Sequence, residues 1–370
     1  MTDTATSPLP DATTVDATIK TITDHADRVF LWNYDRSRDQ LVTLYNKAMD
    51  SQWSSVTELD WSTEVDPEAL VETSPQQSVI VTLARHAAGI PHSPLASWGE
   101  REFTALGIES LKASLSQFMH GEQGAMMVAA KLVETVPWID AKYYAATQTM
   151  DEARHTEVFA KYLHTKLGDA YPMNPSLEAQ IDDLITDSRW DIAYLGMQIV
   201  IESLALAAFG QMLRNTEEPL LKKLLRYVMA DEARHVAFGV ISLREYYENL
   251  SEAELVEREE FLLENTIRQR TRAGTPEVWE RMGTSFDEVL PFLIQAAQET
   301  EINPSASFAH GFYAKLVPNV RKLGLLDERR TRLREQWGEA GLLTYADGDD
   351  TAEDYATYDA VAQDRAATAS

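Results

Sequence analysis

The sequence predicts an all-α protein, and three observations support this fold class. Hydrophobic residues make up 44% of the 370 positions, enough for a substantial core. Helix-forming residues dominate, and glycine (16) and proline (14) are sparse. The prolines lie mostly between stretches whose apolar residues recur with helical spacing, and strands have little support.

Amphipathic helices are predicted wherever apolar residues recur three and four positions apart. Their approximate ranges are 38–54, 75–89, 96–135, 139–167, 188–214, 218–249, 252–271, 285–299 and 304–322. No linker-like composition interrupts 30–340, so we expect one domain over 17–344 with its core at about 100–250. Both ends are rich in Ala, Thr and Asp, and seven acidic residues with no Lys or Arg lie between Tyr345 and Asp364. We therefore expect residues 1–16 and 345–370 to be disordered.

Composition excludes several functional classes. The chain has no cysteine, which excludes disulfides, thiolate metal sites and a cysteine nucleophile. A formal net charge of -26 disfavours binding to nucleic acid or anionic membranes. The N-terminus lacks the basic and apolar regions of a signal peptide, and no apolar run approaches the roughly 20 residues of a membrane span, so a cytoplasmic protein is expected.

An internal repeat carries the functional prediction. The pentapeptide Asp-Glu-Ala-Arg-His occurs at 151–155 and again at 231–235, 80 positions later. The same offset of 80 links Glu122 to Glu202. The chain therefore contains a glutamate, then a Glu-x-x-His motif 30 positions later, and then the whole set again. This pattern indicates an internal duplication of a helix pair.

The spacing brings these residues to one level of a helical bundle. Pro137 and Pro219 lie near the midpoint of each interval, where an antiparallel hairpin would turn. Each glutamate is then about 15 residues, or roughly 22 Å, from the turn. Within Glu-x-x-His the two side chains share one helical face. Two hairpins thus supply four glutamates and two histidines: Glu122, Glu152, His155, Glu202, Glu232 and His235.

This inventory is the di-iron or di-manganese carboxylate set of ferritin-like four-helix bundles. Carboxylates with two imidazoles suit iron or manganese. Asp151 and Asp231 lie on the ligand face, where each can accept the remaining N–H of the histidine from the opposite hairpin. Arg154 and Arg234 are expected to pair with these aspartates.

Simpler interpretations exist for each residue alone. Glu122 and Glu202 lie in apolar surroundings, and a single buried glutamate is more often a salt-bridge member than a ligand. The aspartates and arginines can be ordinary ion pairs. The other histidines have no carboxylate at ligand spacing and are predicted to be structural or surface residues: His25, His86, His92, His120, His164 and His310. The aromatic-rich segment from Trp32 to Trp61 is predicted to pack on the bundle.

Over about 100–250, these motifs resemble the ferritin-like di-iron oxygenase and oxidase superfamily. It includes bacterial multicomponent monooxygenase hydroxylases, acyl-carrier-protein desaturases, ribonucleotide reductase small subunits, arylamine N-oxygenases and epoxidases of aromatic thioesters. Gly121-Glu122 and the paired Asp-Glu-Ala-Arg-His motifs are most similar to the hydroxylases. The resemblance implies O2 activation by two iron ions held by the six residues above.

Three positions depart from family patterns. Leu206 stands four after Glu202, where many hydroxylases have threonine, and Phe159 stands where a radical-generating reductase has tyrosine. Val228 stands where the arylamine N-oxygenases have a third histidine. The resemblance therefore specifies the metal chemistry better than the substrate.

The sequence thus predicts an O2-dependent di-iron oxidoreductase of monooxygenase, oxidase or desaturase type. Its substrate is a small organic or acyl molecule, and an external reductase or ferredoxin supplies electrons. No catalytic residue beyond the metal centre and no organic cofactor site is predicted. The alternatives are a site that holds manganese and iron, a ligand-binding or structural role, and an iron-storing ferroxidase. The extra helices predicted before 96 and after 250 disfavour a ferritin. A homodimer is compatible with such a bundle.

Overall fold

The computed structural model describes residues 20–72, 75–270, 275–303, 306–329, 331–348 and 359–369. Within these ranges the regular elements are all helical, which confirms the predicted fold class. The α-helices are α1 Asp39–Asp50, α2 Pro67–Glu72, α3 Pro75–Ala88, α4 Glu100–Thr135, α5 Ile139–Tyr162, α6 Pro175–Thr186, α7 Trp190–Tyr194, α8 Glu202–Asn215, α9 Pro219–Tyr247, α10 Glu252–Arg270, α11 Pro276–Arg281, α12 Phe286–Glu299, α13 Ala306–Lys322, α14 Thr331–Glu339 and α15 Ala360–Ala369.

Two antiparallel hairpins form the central four-helix bundle. The first joins α4 to α5 through the turn at Pro137. The second joins α8 to α9, where the Glu218 carboxylate caps α9 by accepting from two backbone N–H groups and Pro219 occupies the first turn. The duplicated hairpins of the sequence are therefore the two halves of this ferritin-like bundle.

The two halves differ in the backbone leading to their first glutamate. Helices α7 and α8 are joined by a π-helical stretch, Leu195–Ile201, that ends directly before Glu202. The corresponding residues before Glu122 lie inside the regular helix α4. A second π-helical stretch, Leu163–Leu167, extends α5. π-Helical segments inside α-helices are rare and occur often at functional sites.

The continuous helix Trp190–Asn215 has the length and mean hydropathy (1.8) of a membrane span, but 83% of its apolar window is buried inside the protein. The sequence interpretation that no apolar run approaches about 20 residues is therefore wrong for this stretch. Its hydrophobicity follows from its place in the bundle, because a helix packed on all sides is apolar all round.

The additional N- and C-terminal helices cover the bundle. Helix α1 packs on α5 and α9, α3 lies between α4 and α12, and α13 packs along α8. Helix α13 lies close to α8, since a Cβ added at Gly311 would be in van der Waals contact with the Cβ of Ala207, at 3.5 Å. Ferritin-like architecture with terminal embellishments is thus confirmed.

The predicted disorder of 345–370 is wrong for its last part. Residues 360–369 form α15, where Ala360 and Val361 are buried in the core. Arg226 pairs with Asp364, and the Arg365 guanidinium donates to the backbone carbonyl of Gln52 at 2.6 Å. The acidic composition between Tyr345 and Asp364 predicts disorder, but the few apolar residues of α15 pack on the bundle. Residues 349–358, and the predicted disordered N-terminus 1–16, lie outside the described residues.

Candidate metal centre

All six residues predicted as metal ligands come together in the middle of the bundle. Glu122 lies on α4, and Glu152 and His155 lie on α5. Glu202 begins α8, and Glu232 and His235 lie on α9. The most exposed of the six, Glu122, has only 4% of its surface accessible. Carboxylates this deeply buried require partners of opposite charge or metal ions.

The six residues form two overlapping groups. Glu122, Glu152, His155 and Glu232 make the His155 subsite, and Glu152, Glu202, Glu232 and His235 make the His235 subsite. In each group one potential ligand atom per residue lies within 4.8 Å of all the others. Glu152 and Glu232 belong to both groups, so their carboxylates are placed to bridge two ions.

Distances within each subsite suit atoms that share an ion. His155 Nδ1 lies 3.2 Å from Glu122 Oε2 and 3.0 Å from Glu232 Oε1. His235 Nδ1 lies 2.8 Å from Glu232 Oε2, 3.2 Å from Glu152 Oε1 and 3.6 Å from Glu202 Oε1. Two ligand atoms at right angles on an ion with bonds of about 2.1 Å are separated by about 3 Å.

The outer nitrogen of each imidazole faces an aspartate of the opposite hairpin. His155 Nε2 lies 3.0 Å from Asp231 Oδ2, and His235 Nε2 lies 3.4 Å from Asp151 Oδ2. With these nitrogens donating, Nδ1 of each ring is the free acceptor that points at the carboxylates. The crossed contacts fix both the tautomer and the orientation of the two rings.

Two arginines neutralise these aspartates. Arg154 donates to Asp151 and also to Asp231 at 3.1 Å, which joins the two hairpins. Arg234, which is fully buried, donates to Asp231. Burial alone would raise the pKa of Asp231, but Arg234, His155 and Arg154 outweigh it, and the pKa lies well below the usual range. Asp231 is thus an anionic anchor at neutral pH.

The carboxylates of the two subsites differ in the direction in which the protein shifts their pKa. Burial and the charge of Glu232 hold the pKa of Glu122 and of Glu202 well above the usual range. Glu152 experiences the same burial, yet the two nearby histidines lower its pKa. Burial lowers the pKa of both imidazoles, but hydrogen bonds and charges of the surrounding carboxylates raise it well above its ordinary value overall. Metal ions would replace these protons, because ligands bind in their deprotonated forms.

The donor set fits two divalent cations. Their charge would balance the four carboxylates of the two subsites. Glu152 Oε2 and Glu232 Oε1 are buried, and within the described part of the chain neither has a hydrogen bond of good geometry, although both lie near His155 Nδ1. Buried oxygens without donors are costly unless a cation satisfies them. Oxygen and imidazole ligands suit iron and manganese.

Sequence reasoning missed four polar neighbours of the site. Gln52 donates to Asp151 at 2.9 Å and accepts from Arg154 at 2.8 Å. The indole N–H of Trp53 donates to Asp231 at 2.8 Å. The aromatic-rich segment from Trp32 to Trp61 is a signal for Trp53, although its composition predicts only packing on the bundle. Gln148 and Gln198 lie fully buried beside the His235 subsite.

A cavity of about 510 Å³ reaches the site from one side. It ends at Glu122 and Glu202, one carboxylate from each subsite. Its walls are mainly apolar and come from α4, from the Glu202 helix and from α13, and they include Phe118, Ala205, Ala208, Phe209, Phe308 and Phe312. A small molecule can therefore approach both subsites from the cavity.

The remaining sequence assignments lie outside this site. Leu206, Phe159 and Val228 are buried core residues. His86 contacts Glu299, His120 contacts the backbone carbonyl of Tyr171, and His310 contacts Tyr345. His25, His92 and His164 are exposed.

Comparison with known proteins yields structural similarity only. No protein-family model matches the chain, and no curated protein matches it. Solved structures of R2-like ligand-binding oxidases are similar in fold. One with an aerobically reconstituted metal cofactor is 15% identical, with a TM-score of 0.48, and the match covers 80% of this chain and 97% of that one. A point mutant with an anaerobically reconstituted Mn/Fe cofactor is 14% identical, with a TM-score of 0.46 and coverage of 77% and 91%. At this level of similarity, the ferritin-like assignment rests on the bundle and its donor set.

Proposed function

We propose that the protein is an O2-dependent dimetal oxidoreductase that oxidises a small, largely apolar molecule. The observation that carries this proposal is the cavity that ends at one carboxylate of each subsite. Two iron ions, or one manganese and one iron, would be held by Glu122, Glu152, His155, Glu202, Glu232 and His235. When bound, such a redox-active pair supplies the electrons that reduce dioxygen.

The chain's own residues supply position and a dry environment. Glu152 and Glu232 would each supply ligands to both ions, because each belongs to both subsites. The aspartates and arginines outside the histidines keep the rings oriented. The phenylalanines of the cavity wall exclude water and hold a substrate near the site.

Helix α13 favours an enzyme over an iron-storing ferroxidase. It lies outside the four-helix bundle, and its residues Phe308, Ala309, Phe312 and Tyr313 close one side of the cavity. Iron storage needs no apolar chamber of this kind, whereas binding a small molecule does.

We further propose a soluble cytoplasmic protein whose electrons come from an external reductase or ferredoxin. Monooxygenase, oxidase and desaturase outcomes are all compatible with the site, and neither nucleic acid nor membrane is proposed as a partner.

Filling the cavity tests this proposal. In Ala208→Phe the added ring would occupy the chamber, so we expect the iron-loaded variant to retain its metal but bind naphthalene, an uncharged apolar probe, at least about tenfold more weakly than wild type. Binding is measured by fluorescence titration, and metal content is measured in parallel. Ala146→Phe, on the exposed face of α5, is the matched control and should bind like wild type.

The same iron-loaded proteins distinguish an enzyme from a store. Repeated additions of Fe(II) in air should give metal retention that stops near two ions per chain, as two subsites require. Continued uptake far beyond that number would indicate iron storage. Equal naphthalene binding by Ala208→Phe and wild type would contradict the cavity as the substrate site.

A further inference from the structure

Two buried glutamine side chains contact the His235 subsite. Gln148 and Gln198 are both 0% exposed, and their amides pair reciprocally at 2.7 and 3.2 Å. The Gln148 nitrogen also lies 3.0 Å from Glu202 Oε1 and 3.1 Å from Glu152 Oε1, so its two N–H groups are shared among three acceptor oxygens. The opposite amide orientation would place its oxygen against two carboxylates, so the nitrogen must be the atom that faces them.

The duplication-related positions beside the His155 subsite carry no amides. At the offset of 80 positions, Gln148 corresponds to Val228 and Gln198 corresponds to Phe118. Neither of these residues can donate a hydrogen bond from its side chain. Among the described residues, Glu122 therefore has no amide contact like the one that its counterpart Glu202 receives from Gln148.

The backbone around Gln198 also differs from the backbone of the corresponding residues before Glu122. Gln198 lies in the π-helical stretch Leu195–Ile201, directly against α9. A Cβ added at Gly239 would lie 2.5 Å from the Cβ of Gln198, so only glycine allows this approach. The counterpart of Gly239 is Phe159, which packs edge-to-face on Phe118 with ring centroids 5.8 Å apart. The hairpin of α4 and α5 thus has the aromatic pair Phe118 and Phe159 at the positions where the other hairpin has Gln198 and Gly239.

We propose that Gln148, held by Gln198, is a positioning residue that makes the two ion positions unequal. A carboxylate oxygen has two lone pairs, so an amide N–H can occupy one while an ion takes the other. Glu202 and Glu152 are then fixed in their binding geometry before an ion arrives. The His235 subsite is the tighter one and fills first. The His155 subsite contains Glu122, which is not fixed in this way, and fills second. This inference rests on the proposed dimetal site.

Titration of the metal-free protein with Mn(II) tests the inference without any turnover. Calorimetry should resolve two binding events per chain, and electron paramagnetic resonance should show an isolated Mn(II) signal at one equivalent that broadens at the second. Gln148→Met keeps the length of the side chain but removes its donor. We expect this variant to weaken the first event by about 10–100-fold, the range for loss of a partner that orients a ligand, and to weaken the second event by a smaller factor, because the His155 subsite shares Glu152 but not Glu202.

Val228→Ala is the matched control, because it changes the corresponding position without altering a donor, and both wild-type events should persist. Gln198→Met frees Gln148 from its partner and should move the first event in the same direction by a smaller factor. It also serves as the readout if Gln148→Met fails to fold. Two events of equal affinity in wild type, or an unchanged first event in both glutamine variants, would overturn the inference. Absence of Mn(II) binding in wild type would instead overturn the dimetal site itself.

Discussion

Replacing Glu232 with alanine is expected to abolish binding at both ion positions. Its carboxylate contacts His155 at 3.0 Å and His235 at 2.8 Å, and it belongs to both subsites. Loss of a shared ligand should exceed the roughly 10–100-fold that loss of an outer partner costs. We expect fewer than about 0.2 ions per chain after gel filtration at micromolar iron or manganese, measured by elemental analysis.

Glu122→Ala is the control for this result. Glu122 belongs only to the His155 subsite, so the variant should retain about one ion per chain. The metal-free Glu232→Ala protein should unfold at a lower urea concentration than metal-free wild type, because the contacts of the Glu232 carboxylate with the two buried histidines are lost. Added metal should stabilise wild type but not Glu232→Ala, by about 2.7 kcal/mol per ion at one hundred times the dissociation constant. Retention of two ions by Glu232→Ala would contradict the bridging assignment.

Replacing Asp231 with alanine is expected to cause a large loss of stability. The fully buried Asp231 carboxylate accepts from Trp53, Arg154, Arg234 and the outer nitrogen of His155. Its removal leaves the buried Arg234 guanidinium without the carboxylate it pairs with, which typically costs about 3–5 kcal/mol, whereas Arg154 keeps its bond to Asp151. The free energy of unfolding is measured in urea at neutral pH on metal-free proteins, so that loss of metal does not contribute.

The pH dependence of this loss follows from the lowered pKa of Asp231. A carboxyl whose pKa is depressed in the folded state stabilises that state above the unfolded pKa of about 3.9, and this contribution disappears as the pH falls further. The difference between wild type and Asp231→Ala should therefore be complete above about pH 5 and shrink in stronger acid. Glu245→Ala, which breaks a surface pair with Arg38, is the control and should cost less than about 1 kcal/mol. A loss of similar size in both variants would contradict the role of Asp231 as an anionic anchor.

The sequence was sufficient for the bundle and for the clustering of the six residues because both depend on periodic features. Long apolar-periodic segments marked α4, α5, α8 and α9, and the offset of 80 related their polar residues. The crossed contacts between histidines and aspartates follow from the same regularity. Assignment of the six residues as metal ligands stays a prediction that metal binding must test.

Other features depend on contacts that no local pattern records. Trp53 meets Asp231 across 178 positions, and Gln52 meets Asp151 across 99. The Gln148 and Gln198 amides break the duplication, so comparing the two halves at the offset of 80 would have been the signal for them. Short helices such as α2 and α11 have too few turns for a periodic signal. The predicted helix over 252–271 is observed as α10, whereas α15 was hidden by its acidic surroundings.

The most direct test of the central claim is anaerobic titration of the metal-stripped protein with Fe(II), followed by elemental analysis and Mössbauer spectroscopy of the protein after exposure to air. The account predicts saturation at two iron ions per chain, as the two subsites require, and a spectrum of magnetically interacting ferric ions that share bridging carboxylates. Binding of a single ion, of none, or of two ions without magnetic interaction would contradict it.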